Sequence, residues 1–118
     1  DEQALARAAA GGDTAAFTRL VGLHKGRLFQ IIRRMTGSDD VAIDLLQDVF
    51  ANLWRARARF DDRHSFGAWA TRAAINRVRD WRRRQRVRQL VAGWLPLADA
   101  RDPPDPAPLP AASAAGPE

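Results

Sequence analysis

Apolar and polar positions alternate with a helical period along most of the chain, and glycines divide the pattern into segments. Residues 2–10 (EQALARAAA) read as a short helix ended by Gly11-Gly12. Asp13 is placed to cap the next helix, because its carboxylate can accept from the free N–H groups of the following turn. From 14 to 36, Phe17, Leu20, Val21, Leu28, Ile31, Ile32 and Met35 recur at helical spacing. Gly22 and Gly26 are expected to kink or interrupt this segment. Gly37 ends it and Ser38 caps its successor.

Residues 39–59 carry the clearest amphipathic pattern. Ala42, Leu45, Leu46, Val49, Phe50 and Leu53 fall on one helical face; Asp40, Asp44, Gln47, Asp48 and Ala51 fall on the other. Carboxylates at i, i+4 and i+8 repel one another by a few tenths of a kcal/mol per pair. Such a row needs either plain solvation or a basic partner. Residues 60–65 (FDDRHS) read as a loop, with Ser65 capping a last helix over about 66–90. Its apolar face is Phe66, Trp69, Ala70, Ala73, Ala74, Val78 and Trp81. The opposite face is a stripe of Arg72, Asn76, Arg79, Arg83 and Arg86.

The pattern predicts an all-α fold: a compact bundle of three main helices plus a short N-terminal one. After Leu90 the character changes. Trp94, Leu95 and Leu97 are expected to dock as a short segment. Six of the seven prolines lie in 103–118, which reads as a disordered or extended linker leading to something beyond it. The chain opens on Asp1 rather than Met, as a trimmed sequence would. The expected organisation is therefore 1–12 as the short N-terminal helix, 13–90 as the helical domain, and 91–118 as a Pro/Ala-rich linker.

Charge sharpens this picture. The 118 residues hold 19 Lys+Arg and 14 Asp+Glu, a net charge of +5. Residues 39–62 carry −3 and residues 63–89 carry +8. Adjacent blocks of opposite sign suggest one cationic and one polyanionic partner, where the plainer alternative is two solvated helix faces. All the basic residues except Lys25 are arginines, which suit phosphate and base recognition.

Other chemistry is excluded early. With no cysteine there is no disulfide scaffold, Cys-zinc site or thiol catalysis, and His24 and His64 are too few for a multi-histidine metal site. A soluble, intracellular protein is expected, since no apolar run reaches the roughly 20 residues of a membrane helix. A nuclease using Asp44 and Asp48 is disfavoured. Those carboxylates lie one turn apart on an open helix, with no nearby His or Lys and no phosphate-cradling glycine loop.

Three ordered blocks carry a resemblance. Ala42-Ile43-Asp44-Leu45-Leu46-Gln47-Asp48-Val49-Phe50 followed by Leu53-Trp54 resembles an AEDLVQEVFLRLW run. Phe60-Asp61 followed by Phe66-Gly67-Ala68-Trp69 resembles FD…FRAWL. Asn76, Asp80 and Arg82–Arg84 resemble ARNLALDRLRR. Together they resemble region 2 of bacterial RNA polymerase sigma factors of the extracytoplasmic-function type (group 4), over residues 17–89. Ile43 stands where that family usually has an acid, Gly67 and Ala70 replace an Arg and a Leu, and Ala74-Ile75 replaces Ala-Arg.

The resemblance implies a domain that binds core RNA polymerase and recognises and melts the promoter −10 element. Asp44, Gln47 and Asp48, with Trp54 beside them, would meet the basic clamp coiled coil of the largest polymerase subunits. An aromatic at the edge of a charged patch suits an interface anchor, though it also suits a tryptophan packing only within its own domain. Arg63, His64 and Ser65 match the family's specificity loop, which holds a base flipped out of the −10 non-template strand. His64 would stack on or bond to that base, or stand as an ordinary exposed loop residue. Arg72, Arg79, Arg83 and Arg86 would follow the DNA backbone. Asn76 would read a base or fix the loop. Asp80 is expected to orient Arg77, Arg83 or Arg84, and His24, Trp69 and Trp81 are read as structural.

The resemblance implies no cofactor, no metal, no enzymatic activity and no membrane insertion. It implies an anti-sigma factor as regulator and a place in the bacterial cytoplasm, at the nucleoid when in holoenzyme. The linker would lead to the family's region 4, which is absent here. The alternative from another class is a stand-alone helical DNA-binding regulator, which explains the basic helix but not the acidic one.

Overall fold

The computed structural model describes residues 1–94, and the proline-rich segment lies outside the described residues. Among the described residues there are four α-helices: α1 (Glu2–Ala10), α2 (Thr14–Thr36), α3 (Asp39–Arg55) and α4 (Phe66–Trp94), with a 3-10 turn at Arg57–Arg59 between α3 and α4. The expected all-α bundle of three long helices and a short first one is the fold observed. The chain divides into two units, Asp1–Val78 and Arg79–Glu118. Of the second, the described part is the C-terminal half of α4.

Local chemistry sets the helix ends. The Asp1 carboxylate accepts from Ala4 N at 2.8 Å and starts α1. The chain turns at Gly12, whose φ of 106° lies in the left-handed region that favours glycine. Asp13 then caps α2 by accepting from Ala16 N at 3.1 Å. Gly37, at φ 77°, closes α2 through its N–H to Arg33 O at 2.8 Å. Ser38 Oγ accepts from Val41 N at 3.2 Å to start α3, and Ser65 Oγ accepts from Ala68 N at 3.0 Å to start α4.

Three segments depart from the sequence expectation. α2 runs unbroken through Gly22 and Gly26, both exposed with open space around them. Each costs about 1 kcal/mol of helix propensity, which burial of the opposite face outweighs. α3 stops at Arg55, and the next residues tighten into the 3-10 turn. There the Arg57 guanidinium lies over the Trp54 ring at 4.0 Å and donates to Trp54 O at 2.9 Å, a carbonyl that also accepts a backbone N–H of the helix cap. α4 continues to Trp94, four residues past the expected end. Trp94 is 83% exposed, so it extends the helix and does not dock; Leu95 and Leu97, expected to dock with it, lie outside the described residues.

In the first unit the core is built from ridges of every fourth residue. α2 buries Ala16, Leu20, His24, Leu28 and Ile32, and α4 buries Phe66, Ala70, Ala74 and Val78. α3 contributes Ala42, Leu45, Val49 and Leu53, and α1 contributes Ala6 and Ala9. The alanines let backbones approach closely, and the aromatics gather at one end. Phe66 lies with ring centroids 5.4 Å from His24, 5.9 Å from Trp69, 6.3 Å from Phe17 and 6.4 Å from Phe60. This cluster joins Phe60 at the start of the 60–65 loop to Phe66 directly after it, and so fixes where the loop leaves and re-enters the domain.

Candidate functional site

The acidic face of α3 is present as expected: Asp44, Gln47 and Asp48 are all exposed, opposite the buried stripe. Asp48 has a basic partner within the chain, because Arg77 Nη2 of α4 lies 3.0 Å from its Oδ2. The Arg77 side chain is 18% exposed and that of Asp48 is 52%. Asp44 takes part in no ion pair among the described residues. Trp54 is half-buried, with its ring 5.1 Å from that of Phe17 in α2 and the Arg57 guanidinium 4.0 Å from its centroid. It thus makes the intramolecular packing that its position at the edge of the polar face also allowed.

The loop is a tight acid-anchored turn. Asp61 accepts from the Arg63 backbone N–H at 3.0 Å and from the Arg63 guanidinium at 2.7 Å, and His64 N donates to Asp61 O at 3.0 Å. Hydrogen bonds from the Arg63 side chain and then its backbone hold the Asp61 carboxyl well below the usual carboxylate range. The same pair raises Arg63 above its ordinary value. Arg63, His64 and Ser65 are all exposed, and the Ser65 hydroxyl also accepts from Ala68 N to cap α4.

Beyond the loop, Arg72 and Asn76 are exposed on α4 and engage in no hydrogen bond or ion pair among the described residues. In the second unit Arg79 and Arg86 are likewise exposed and unpaired among the described residues. Arg83 pairs with Asp80 at 2.9 Å and Arg84 with the same carboxylate at 3.2 Å, as expected for a lone acid among arginines. An exposed pair of this kind contributes about 0–1 kcal/mol, so it leaves Arg83 available to a phosphate. Val87, Leu90 and Val91 of α4 are also exposed.

Two features were not foreseen from the sequence. One is a polar network around His24. Arg27 Nη2 lies 3.0 Å from His24 Nδ1, and since a guanidinium can only donate, Nδ1 accepts and Nε2 faces Glu2 Oε2 at 2.7 Å. Arg27 also donates to Thr71 Oγ1 at 2.6 Å and to Gly67 O at 3.4 Å, tying α1, α2 and α4 together. The signal was the register, since His24 continues the buried ridge between Leu20 and Leu28. The same network accounts for Gly67. A Cβ there would meet His24 Cε1 at 3.1 Å. The other feature is Gln3, whose side-chain amide reaches the loop, and no sequence signal marks it.

Comparison with known proteins addresses the resemblance. The sigma-70 region 2 family model matches residues 20–88, more than half of the chain. The chain belongs to the sigma-70 region 2 family. The RNA polymerase sigma factor NccH of Alcaligenes xylosoxydans xylosoxydans is 37% identical over 99 residues, 84% of this chain and 53% of that protein. CnrH of Cupriavidus metallidurans is 37% identical over 98 residues, 83% of this chain and 51% of that protein. The ECF sigma factor SigF of Caulobacter vibrioides is also 37% identical, covering 80% of this chain and 54% of its own. The chain therefore spans about half the length of these curated relatives.

Solved structures agree with the region 2 assignment. An engineered region 2 of sigmaE, determined by NMR in complex with GTAAAA, has a TM-score of 0.63 and 27% identity, covering 79% of this chain and 90% of that one. CnrH in complex with the cytosolic domain of CnrY has a TM-score of 0.64 and 31% identity, covering 82% of this chain and 68% of that one.

Proposed function

We propose that this region 2 chain belongs to an extracytoplasmic-function sigma factor, and that it docks on core RNA polymerase and holds the −10 non-template strand during promoter melting. The observation that carries the reading is the exposed, uncommitted polar set on the first half of α4. Arg72 and Asn76 follow directly on the loop bearing Arg63 and His64, in a chain whose family match spans both. Arg79, Arg83 and Arg86 further along α4 are the proposed backbone contacts. The sigmaE region 2 complex with GTAAAA supports an oligonucleotide ligand for this fold.

Docking on polymerase is assigned to the acidic face of α3, through Asp44, Gln47 and Asp48 with the rim of Trp54. The proposed partner surface is the basic clamp coiled coil. An anti-sigma factor is the proposed regulator, supported by the CnrH complex with CnrY. The proposed working place is the bacterial cytoplasm, and the proposed region 2 limits are 13–90, with α4 carrying on as helix to Trp94 into the proposed linker.

The test is fluorescence anisotropy of the chain with single-stranded oligonucleotides over a salt series. If about four arginines touch phosphates, log K falls with log salt at a slope near −3. Arg83→Ala should weaken all sequences alike and reduce that slope by less than about one unit. His64→Ala and Asn76→Ala should change base preference and leave the slope nearly unchanged, because base contacts specify while phosphate contacts position. No measurable single-strand binding would reject the reading in favour of a module that only binds protein.

A further inference from the structure

The loop at 61–65 is bonded mainly to itself and to the first turn of α4. Its backbone bonds run from Arg63 N and His64 N to Asp61, and Ser65 serves the α4 terminus. Among the described residues, one side chain from a distant element also bonds it. The Gln3 Nε2 donates to Asp62 O at 2.8 Å and to His64 O at 3.3 Å, across about sixty residues of sequence. A primary amide has two N–H donors, and here each is given to one loop carbonyl. A pair of bonds to carbonyls two residues apart fixes the intervening peptide units, and with them the direction in which Arg63 and His64 leave the backbone.

Gln3 is itself held firmly. Its neighbour Glu2 accepts from the His24 ring at 2.7 Å, and Ala6 and Ala9 of the same helix are buried. Asp1, two residues before Gln3, caps the helix start. Helix α1 is thereby anchored on α2 without needing the loop, and it presents the Gln3 amide to the loop as a fixed donor pair.

We propose that Gln3 is a positioning residue for base reading: through the carbonyls of Asp62 and His64 it sets the conformation of the loop, and so the base preference, without touching the nucleic acid. The inference rests on the reading of residues 63–65 as the base-reading loop. It assigns to α1, which lies outside the matched residues 20–88, a part in specificity. It also predicts that sequence changes at position 3 alter which base is preferred while leaving backbone affinity alone.

The experiment uses the whole 118-residue chain with Gln3→Glu and Gln3→Met. Gln3→Glu keeps the shape but turns oxygen toward two carbonyl oxygens. Gln3→Met removes the donors without adding charge, and serves if the first variant disturbs α1. Circular dichroism and thermal melting confirm that each remains folded. Two quantities are then read. Amide exchange at Arg63 and His64 should quicken by about fivefold or more, the equivalent of one hydrogen bond of ordinary net strength. The Kd ratio between GTAAAA-based oligonucleotides differing at one base should fall by about fivefold, the lower end of what a single base contact supplies. The salt slope should stay at the parent's value.

Unchanged exchange at Arg63 and His64 in both variants would overturn the proposal. So would faster exchange with base preference intact, in a protein whose preference His64→Ala does change. If instead neither His64→Ala nor Asn76→Ala changes the parent's preference, the failure lies in the loop as reader. Gln3 then has no reading to position, while the exchange data still report whether it holds the loop.

Discussion

Phe66 is the side chain on which the loop, α4 and the aromatic cluster converge, and its truncation gives a graded test of that packing. It is 2% exposed and touches rings from α2, from the loop start and from its own helix. Phe66→Ala removes the ring and leaves a cavity walled by Phe17, His24, Phe60 and Trp69. Such truncations cost about 3–5 kcal/mol. Phe66→Leu keeps an enclosed apolar side chain and leaves a smaller gap, at a cost of about 1.5 kcal/mol. A domain of this size has roughly 5–15 kcal/mol of stability in total, so the first change consumes a large share and the second a small one. The assay is urea unfolding followed by far-ultraviolet circular dichroism and by tryptophan fluorescence. With m of about 1.5 kcal/mol/M, the midpoint should fall by about 2–3 M for Phe66→Ala and by about 1 M for Phe66→Leu. Equal shifts for the two variants would refute the reasoning, because they would mean that no cavity forms and the ring is not enclosed.

Gly67→Ala should stabilise a His24→Ala variant by about 0.5–1 kcal/mol but not the parent, since the new Cβ meets a histidine that Glu2 and Arg27 hold in place; additive effects in a denaturation cycle would contradict this. Asp61→Asn retains an acceptor for the Arg63 backbone N–H but releases its guanidinium, so single-strand affinity should rise for every sequence and the salt slope should steepen by up to about 0.7, read by anisotropy. The Asp61 carboxyl titrates below its ordinary value of 3.8 in the folded chain. Its contribution is therefore complete above the unfolded pKa and is lost only as pH falls through the lowered folded one. An NMR titration should place its midpoint below 3.8, and a midpoint at or above that value would contradict the Arg63 pairing.

Much of this architecture was legible because its boundaries are local. Asp13, Ser38 and Ser65 cap helices, and Gly37 ends one, through bonds within a few residues, so composition and spacing reveal them. The buried faces follow from period alone. The ends of α3 and α4 were less legible. A 3-10 turn continues helical spacing, and residues 91–94 hold no proline that would stop α4 at Leu90. Long-range pairing was not legible at all. Arg77 lies 29 residues from Asp48, and Gln3 lies 59 from Asp62. Nothing in either local pattern distinguishes a partnered side chain from a solvated one. The consequence reaches the candidate site, because Asp48 is already balanced by Arg77 while its neighbour Asp44 is not.

That difference selects the variant for the central claim. Asp48→Arg would set a new guanidinium against Arg77 and confuse folding with binding, whereas Asp44→Arg changes an exposed position with no ionic partner among the described residues. The direct measurement is the equilibrium affinity of the parent chain and of Asp44→Arg for core RNA polymerase, with unfolding midpoints taken alongside. Like charges facing one another across an interface cost several kcal/mol, so the variant should keep the parent's midpoint and lose about thirtyfold or more in affinity. Equal affinity of parent and variant would contradict docking through the acidic face of α3.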